Sequence, residues 1–171
     1  WRELFCALFH PQELLHLLQT DVKELTITYN SASTLFFSHT QIQSWYFQSW
    51  LASQLGWKVK KIEEKKVTYE NHVVEFSAQK MEKLPPGAIL SVFVRTHKEE
   101  NFYLKTHIDI EGQIDILFCN GDSCHHASSY RFCNMRSTFS LVKEMGHAGT
   151  SKQYVDLLQF LKQLPEHQLS L

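Results

Sequence analysis

The stretch TQIQSWYFQSWLASQLGW at Thr40–Trp57 decides the fold that this sequence predicts. No Asp, Glu, Lys or Arg occurs between Leu25 and Trp57, which is unusual for a segment that faces water. The large apolar residues fall on every side of a helical wheel, as in helices that have neighbours on several faces. We therefore predict a buried central helix around which the chain is organised. Its apolar positions are Ile42, Trp45, Tyr46, Phe47, Trp50, Leu51, Ala52 and Leu55.

A membrane span is the competing interpretation of this stretch, and the sequence disfavours it. Gln and Ser residues interrupt the run well short of the roughly 18–20 continuous apolar residues that a span requires. There is no signal-peptide pattern, and four cysteines are too few for a disulfide scaffold of this size. We therefore expect a cytoplasmic protein. Because the chain opens on Trp1 inside an apparent helix, we expect the C-terminal fragment of a longer protein.

Length and composition limit the classes of protein to consider. A chain of 171 residues with 43% hydrophobic and 13% aromatic residues is long and apolar enough to form one globular domain. Lys and Arg total 17 and Asp and Glu total 18, a net charge of −1. A non-specific nucleic-acid or membrane-surface binder needs a strong basic excess, so we expect neither partner.

The flanking segments predict a sheet. Leu25, Ile27 and Tyr29 alternate with polar residues, and a second strand starts at Trp57, so strand, helix and strand form a βαβ crossover. After Glu63 the pattern is of short strands and hairpin turns, and leucine stripes at both termini predict helices. The predicted fold is one α+β domain over residues 1–171, with a mixed, mainly antiparallel sheet, one βαβ crossover, a central buried helix and terminal helices.

Cysteine and histidine concentrate in CNGDSCHH at Cys119–His126, with Cys133 following. These are the usual zinc ligands, but Cys119 and Cys124 lack C-x-x-C spacing, and no second ligand pair follows. A regulatory disulfide among Cys119, Cys124 and Cys133 needs Cα atoms within roughly 7 Å, which a loop between strands allows. Three reduced structural cysteines are the third interpretation. We predict no metal and no cofactor, and keep these cysteines as candidate redox residues.

No recognisable catalytic motif accompanies the ten histidines. There is no G-x-S-x-G, glycine-rich phosphate loop or H-E-x-x-H, and Asp109 and Asp115 are interpreted as solvated strand residues. We predict no catalytic residues and a protein that is not an enzyme. A small-molecule enzyme remains an alternative if a deep pocket gathers ionisable groups with shifted pKa values.

Four motifs resemble one bacterial family. They are WRELFCALF at Trp1–Phe9, the strand LTITYN, SWLASQLGW at Ser49–Trp57, and LPPG at Leu84–Gly87 before a strand. In this order they resemble the C-terminal part of the OpcA family of glucose-6-phosphate dehydrogenase assembly proteins. The resemblance runs from Trp1 to about Thr96. It implies a non-enzymatic assembly factor and allosteric activator of glucose-6-phosphate dehydrogenase, in the oxidative pentose phosphate pathway.

The surface that would contact such a partner is predicted from the aromatic residues. All four tryptophans lie in the first third of the chain, and aromatic residues with Arg dominate the energetic centres of protein interfaces. We predict partner contacts from the exposed members of a set comprising Trp1, Arg2, Trp45, Tyr46 and Trp50. The alternative function is a thiol- or metal-dependent switch in the region Cys119–Cys133.

Overall fold

The computed structural model describes residues 1–8, 12–33, 40–98, 100–120 and 123–131, together with the single residues 155, 159 and 162. Eight strands and three helices occur in the described part of residues 1–131. In chain order they are α1 (Arg2–Leu8), α2 (Gln12–Thr20), β1 (Val22–Asn30), α3 (Ile42–Leu55), β2 (Val59–Glu63), β3 (Lys66–Tyr69), β4 (Val73–Gln79), β5 (Ile89–Thr96), β6 (Glu100–Thr106), β7 (Gln113–Asn120) and β8 (Ser123–Arg131). None of the described helices is long and apolar enough to span a membrane.

All eight strands form one sheet in the order β2-β3-β4-β1-β5-β6-β7-β8. β1 pairs in parallel with β4, and the other neighbours are antiparallel. Ile27 lies in the middle of β1, opposite Phe76 on one side and Val92 on the other, and all three side chains are buried. The centre of the protein is therefore this sheet.

The two faces of the sheet differ in polarity because side chains alternate along each strand. One face carries apolar residues such as Leu25, Val74 and Val94, and they join α1, α2 and α3 in a single core cluster. Trp45 of α3 contacts Phe76 on this face, with ring centroids 4.3 Å apart. The other face carries mostly half-buried or exposed residues, including Thr26 and Ser77.

The predicted α+β fold organised around a central helix is wrong. The described residues are mostly β, and α3 lies on the helix-covered face of an eight-stranded sheet rather than at the centre. Hydrophobic periodicity identifies a helix but not its depth, because uncharged Gln and Ser do not distinguish a buried position from an exposed one. We predicted that α3 is covered by other elements on every side, but one side of α3 is exposed.

The strand pairing also differs from the predicted crossover. The parallel neighbour of β1 is β4 and not β2, the strand that follows α3. β2 lies at the sheet edge, separated from β1 by β3 and β4. The alternating polar residues of Val67–Ala78 predict one extended segment, but the chain forms two antiparallel strands there, β3 and β4, joined by residues 70–72. CNGDSCHH is predicted to be a loop that joins two strands, whereas Cys119 and Asn120 belong to β7 and residues 123–126 belong to β8. The predicted helix at Phe139–Met145 lies outside the described residues. Of the predicted helix at Tyr154–Leu164 only Val155, Gln159 and Lys162 are described, and Val155 and Gln159 are helical.

A buried asparagine fixes the end of the central strand. The Asn30 side-chain amide donates to the carbonyls of Met81, Leu84 and Pro85 at 2.8, 2.7 and 3.0 Å. Its side-chain oxygen accepts from the backbone amides of Ala32 at 3.1 Å and Met81 at 2.9 Å. One fully buried side chain thus holds the LPPG segment against β1.

Candidate interaction surface and cysteine hairpin

The outward side of α3 is the main exposed apolar feature of the described residues. Ile42 and Tyr46 are 39% and 41% exposed, and Trp50, one further turn along, is half-buried. Residues spaced by four lie on the same side of a helix, so the three form one stripe. Three uncharged polar residues share this side, and we call the six together the α3 arc. They are Ile42, Gln43, Tyr46, Trp50, Ser53 and Gln54.

The α3 arc rests on an aromatic cluster. Phe47 is buried, and its ring is stacked with Trp50 at 6.1 Å between centroids. The Trp1 ring is tilted against Phe47, also with 6.1 Å between centroids. Phe5 contacts the same ring edge-on at 5.1 Å. Ring packing restricts Trp50 to few rotamers, so little side-chain entropy remains to be lost when a partner binds.

The structure divides the five predicted contact residues. Tyr46 and Arg2 are exposed, and Trp1 and Trp50 are half-buried, so these four can reach a partner. Trp45 is 4% exposed and packs against Phe76, so it belongs to the core and not to a contact surface. Ile42 was not predicted. The spacing of Ile42, Tyr46 and Trp50 is visible in the sequence, but the predicted contact set was chosen from aromatic residues and Arg, which left out Ile42.

Polar groups are buried beneath the opposite side of α3. The Gln48 side-chain amide donates to the Tyr69 hydroxyl, and both residues are buried. The His72 ring stacks on Tyr69 with centroids 4.8 Å apart and meets Trp57 edge-on at 4.1 Å. Burial lowers the pKa of His72 to about 4 and raises the pKa of Tyr69, so both are neutral near pH 7. Among the described residues, His72 Nε2 and Trp57 Nε1 have no hydrogen-bond partner.

The predicted redox residues meet across the β7–β8 hairpin. Cys119 and Cys124 are directly opposite in register, with Cα atoms 4.0 Å apart, and form a disulfide. Cys119 is buried and Cys124 is exposed, so a reductant has access from one side. Cys133 lies outside the described residues. Within the described part of the chain, no group of three His, Cys, Asp or Glu residues is arranged to hold a metal ion.

A serine, a histidine and an aspartate come together on β7 and β8. Ser129 Oγ donates to Asp115 Oδ1 at 2.7 Å and lies 3.0 Å from His126 Nε2. Burial alone would raise the pKa of Asp115, but hydrogen bonds from Gln113 and Ser129, with His107 and His126 nearby, lower it. The sequence analysis did not predict this group, because Asp115 lies on one strand and His126 and Ser129 lie on the next.

This arrangement does not fit a hydrolase triad. In a triad the histidine accepts the serine proton, and the carboxylate binds the far ring nitrogen. Here the carboxylate binds the serine itself, and Asp115 Oδ1 lies 3.9 Å from the same Nε2 atom. The serine proton is therefore committed to Asp115, which makes the group a surface hydrogen-bond network. Asp109, the other predicted solvated carboxylate, is exposed and pairs with Lys83 at 2.9 Å.

Comparisons with known proteins find distant structural likeness and no match in sequence. No protein-family model and no curated protein sequence matches the chain. Among solved structures, the proposed oxidoreductase yvaA of Bacillus subtilis is similar with a TM-score of 0.45 and 8% identity. The alignment covers 91% of this chain and 57% of that one, so the chain spans little more than half the length of yvaA. A likeness this weak indicates neither a family nor an activity.

Proposed function

We propose that this chain is a non-enzymatic assembly factor that binds glucose-6-phosphate dehydrogenase in the bacterial cytoplasm and favours its active oligomer. The observation that carries the proposal is the α3 arc, an exposed aromatic and uncharged surface. The motifs that resemble the family of assembly proteins include α1 and the last two turns of α3, and one residue of each motif, Trp1 and Trp50, contacts the ring of Phe47. Three residues of the α3 arc, Trp50, Ser53 and Gln54, therefore belong to a motif that carries the resemblance.

Activation by contact sets a thermodynamic requirement. A ligand shifts an equilibrium between two states only if it binds one of them more tightly, and each tenfold difference in affinity shifts the ratio tenfold. The chain must therefore bind the active oligomer of the dehydrogenase better than its inactive form.

The test combines activity with oligomer size. The purified chain is titrated into the cognate dehydrogenase, and the rate of NADPH formation is followed alongside the mass distribution from light scattering. We expect specific activity to rise in step with the larger species and to saturate. If neither quantity changes at a chain concentration well above that of the enzyme, the proposal is wrong.

A second candidate function is a thiol–disulfide switch, and the pairing of Cys119 with Cys124 favours it. Disulfides are rare in the reducing cytoplasm unless they are redox-sensing or catalytic. A dithiol reductant would break the sulfur–sulfur bond, leaving two thiols on the chain and a disulfide on the reductant. Opening this bond would remove the covalent tie between β7 and the edge strand β8.

Mass spectrometry with and without dithiothreitol tests this candidate. The oxidised chain should gain the mass of two hydrogen atoms on reduction, and amide exchange in β8 should become faster. Cys124→Ser should exchange like the reduced chain under both conditions, whereas Cys6→Ser, at an exposed free cysteine, should behave like wild type. Equal exchange and equal dehydrogenase activation in the two redox states would exclude a switch.

A further inference from the structure

We infer that an external thiol attacks the disulfide between Cys119 and Cys124 at Cys124 Sγ and not at Cys119 Sγ. Cys124 is then the residue of this chain that carries the thiol as a mixed disulfide, and the co-reactant is a small thiol or dithiol in solution. The inference rests on the bond that favours the second candidate function, and it specifies where reduction of that bond begins. It does not depend on binding to the dehydrogenase.

The two joined cysteines differ in exposure. Cys119 is only 5% exposed, whereas Cys124 is open to solvent. A thiolate must touch the sulfur that it attacks, so the rate of exchange at each sulfur depends on access to that sulfur. Access therefore favours attack on Cys124.

The order of the strands adds a directional reason. A thiolate approaches the attacked sulfur in line with the sulfur–sulfur bond, from the side opposite to the sulfur that leaves. Cys119 lies in register with Cys124 of β8 on one side and with Asn101 of β6 on the other. In-line attack on Cys119 would have to come over β6, about 4.8 Å away, where half-buried Asn101 lies. In-line attack on Cys124 comes from the outer side of β8, which is the edge strand of the described sheet.

The reaction leaves an adduct on Cys124 and a thiol on Cys119. The external thiolate forms a bond with Cys124 Sγ, the original disulfide breaks, and its electron pair leaves with Cys119 Sγ, which takes a proton from water. A second external thiol then attacks the external sulfur of the adduct, forms the external disulfide and releases Cys124 as a thiol. Over both steps the chain gains two electrons and two protons, and two external thiols are oxidised.

The surroundings of each cysteine suit the product that forms there. A thiol at Cys119 stays among buried residues, where cysteine behaves as a small apolar side chain. An adduct at Cys119 would instead bring the polar and charged groups of the external thiol into a position almost closed to water, which is unfavourable. At Cys124 the same groups remain in solvent.

The experiment identifies the cysteine that carries the adduct in the oxidised wild-type chain. Glutathione is added in excess, and samples are quenched with acid at early times. Free thiols are then alkylated with N-ethylmaleimide in denaturant at mildly acidic pH, where few thiolates are present and exchange is slow. Tandem mass spectrometry of the peptide that contains both cysteines locates the glutathione and the maleimide. A parallel reaction with cysteamine, which is cationic where glutathione is anionic, separates access from charge.

We expect at least about tenfold more glutathione on Cys124 than on Cys119, with the maleimide on Cys119. Cysteamine should show the same preference, because access to the sulfur does not depend on the charge of the thiol. Cys6→Ser is the matched control. It removes an exposed free cysteine of the same chain and should leave the distribution of adducts unchanged.

Adducts mainly on Cys119, equal adducts on both cysteines, or no adduct with either thiol would overturn the inference. A preference that reverses with cysteamine, or that changes in Cys6→Ser, would also overturn it, because charge or an internal thiol would then direct the attack. Failure of the second candidate function gives a different result. If reduction leaves amide exchange in β8 and activation of the dehydrogenase unchanged, the bond is no switch, whereas an adduct on Cys124 still supports the site of attack.

Discussion

At the scale of single residues, the most constrained side chain is Asn30. Its amide has two hydrogens and faces three carbonyls, while its oxygen serves two backbone amides, so every polar atom of the side chain is used. The sequence shows only an asparagine at the end of a strand. Its partners at Met81–Pro85 are more than fifty residues away, so no local pattern identifies the role.

Replacement of Asn30 should destabilise the protein strongly. Asn30→Ala leaves buried backbone groups without partners, and we expect the free energy of unfolding to fall by about 3 kcal/mol. Asn30→Asp has nearly the same shape but brings a carboxylate towards three carbonyl oxygens, so it should cost at least as much at pH 7. Urea unfolding measures both. Asn30→Asp as stable as wild type would show that the donated hydrogen bonds contribute little.

His72 gives the stability a pH dependence. Its pKa is about 4 in the folded protein and 6.5 in an ordinary setting, so below pH 6.5 the unfolded chain binds the proton first. The His72 contribution to stability should thus be intact above pH 6.5 and be lost progressively down to about pH 4. The shift corresponds to at most about 3 kcal/mol, and residual contact of the ring with water makes about 2 kcal/mol the expected loss.

The measurement is the free energy of unfolding of wild type and His72→Phe between pH 7 and 4. Other histidines and carboxylates titrate in both proteins, so the difference between the two isolates His72. We expect that difference to move in favour of His72→Phe as the pH falls. A difference that stays constant with pH would show that the imidazole is not buried in its neutral form.

At the scale of elements, α3 ends at a glycine with left-handed backbone geometry and begins beside a side-chain hydrogen bond to another element. Gly56 ends the helix in a left-handed conformation with φ of 69°, and its amide donates to the Ala52 carbonyl. At the start, no side chain caps the helix. The side-chain amide of Gln41 instead donates to the Glu64 backbone carbonyl at 3.1 Å. The C-terminal glycine was predictable from the sequence, since left-handed caps favour glycine. The hydrogen bond from Gln41 to Glu64 was not predictable, since it joins residues of separate elements.

Two glycine variants separate backbone strain from crowding. Gly56→Ala adds a Cβ with no atom within 4 Å, so only the positive φ matters, and we expect a loss of about 1 kcal/mol. Gly87→Ala has a similar φ of 78°, but its Cβ would lie 3.1 Å from the Thr40 carbonyl oxygen. We expect Gly87→Ala to lose about 2–3 kcal/mol. Thermal unfolding compares them, and equal losses would contradict a close contact at Gly87.

At the scale of the whole molecule, the strands of the sheet differ in how deeply they are buried and therefore in how easily they open locally. β1 and β5 lie near its middle and carry side chains such as Leu25, Ile27, Val92 and Val94 that are fully buried. β8 lies at an edge, and its side chains are exposed except for half-buried Tyr130. Local opening requires the least free energy where few apolar contacts are lost.

Hydrogen exchange should reproduce this order. Amides of β1 and β5 should exchange slowest, at rates set by global unfolding, and amides of β8 should exchange faster by at least about tenfold. Mass spectrometry of peptic peptides from the oxidised chain measures the difference. Exchange in β8 as slow as in β5 would mean that the edge strand opens only when the whole protein unfolds.

What the sequence alone determined is local. Period-two alternation at Leu25–Tyr29 identified a strand, apolar helical residues before Gly56 identified a helix, and the absence of charge from Thr26 to Gly56 marked the segment that carries the α3 arc. These signals depend on neighbours within a few positions along the chain, so they can be recognised without knowledge of the fold.

Only the tertiary structure decided which side of each element is covered and which distant residues meet. It placed α3 on one face of the sheet, buried Trp45 while exposing Tyr46, paired β1 with β4, and brought Cys119 opposite Cys124. The physical reason is that burial and pairing depend on the packing of whole elements, which brings together residues far apart in the chain. A helix of uncharged residues is compatible with the centre of a domain and with its surface. The packing of α3 against one face of the sheet decides which of its sides is buried.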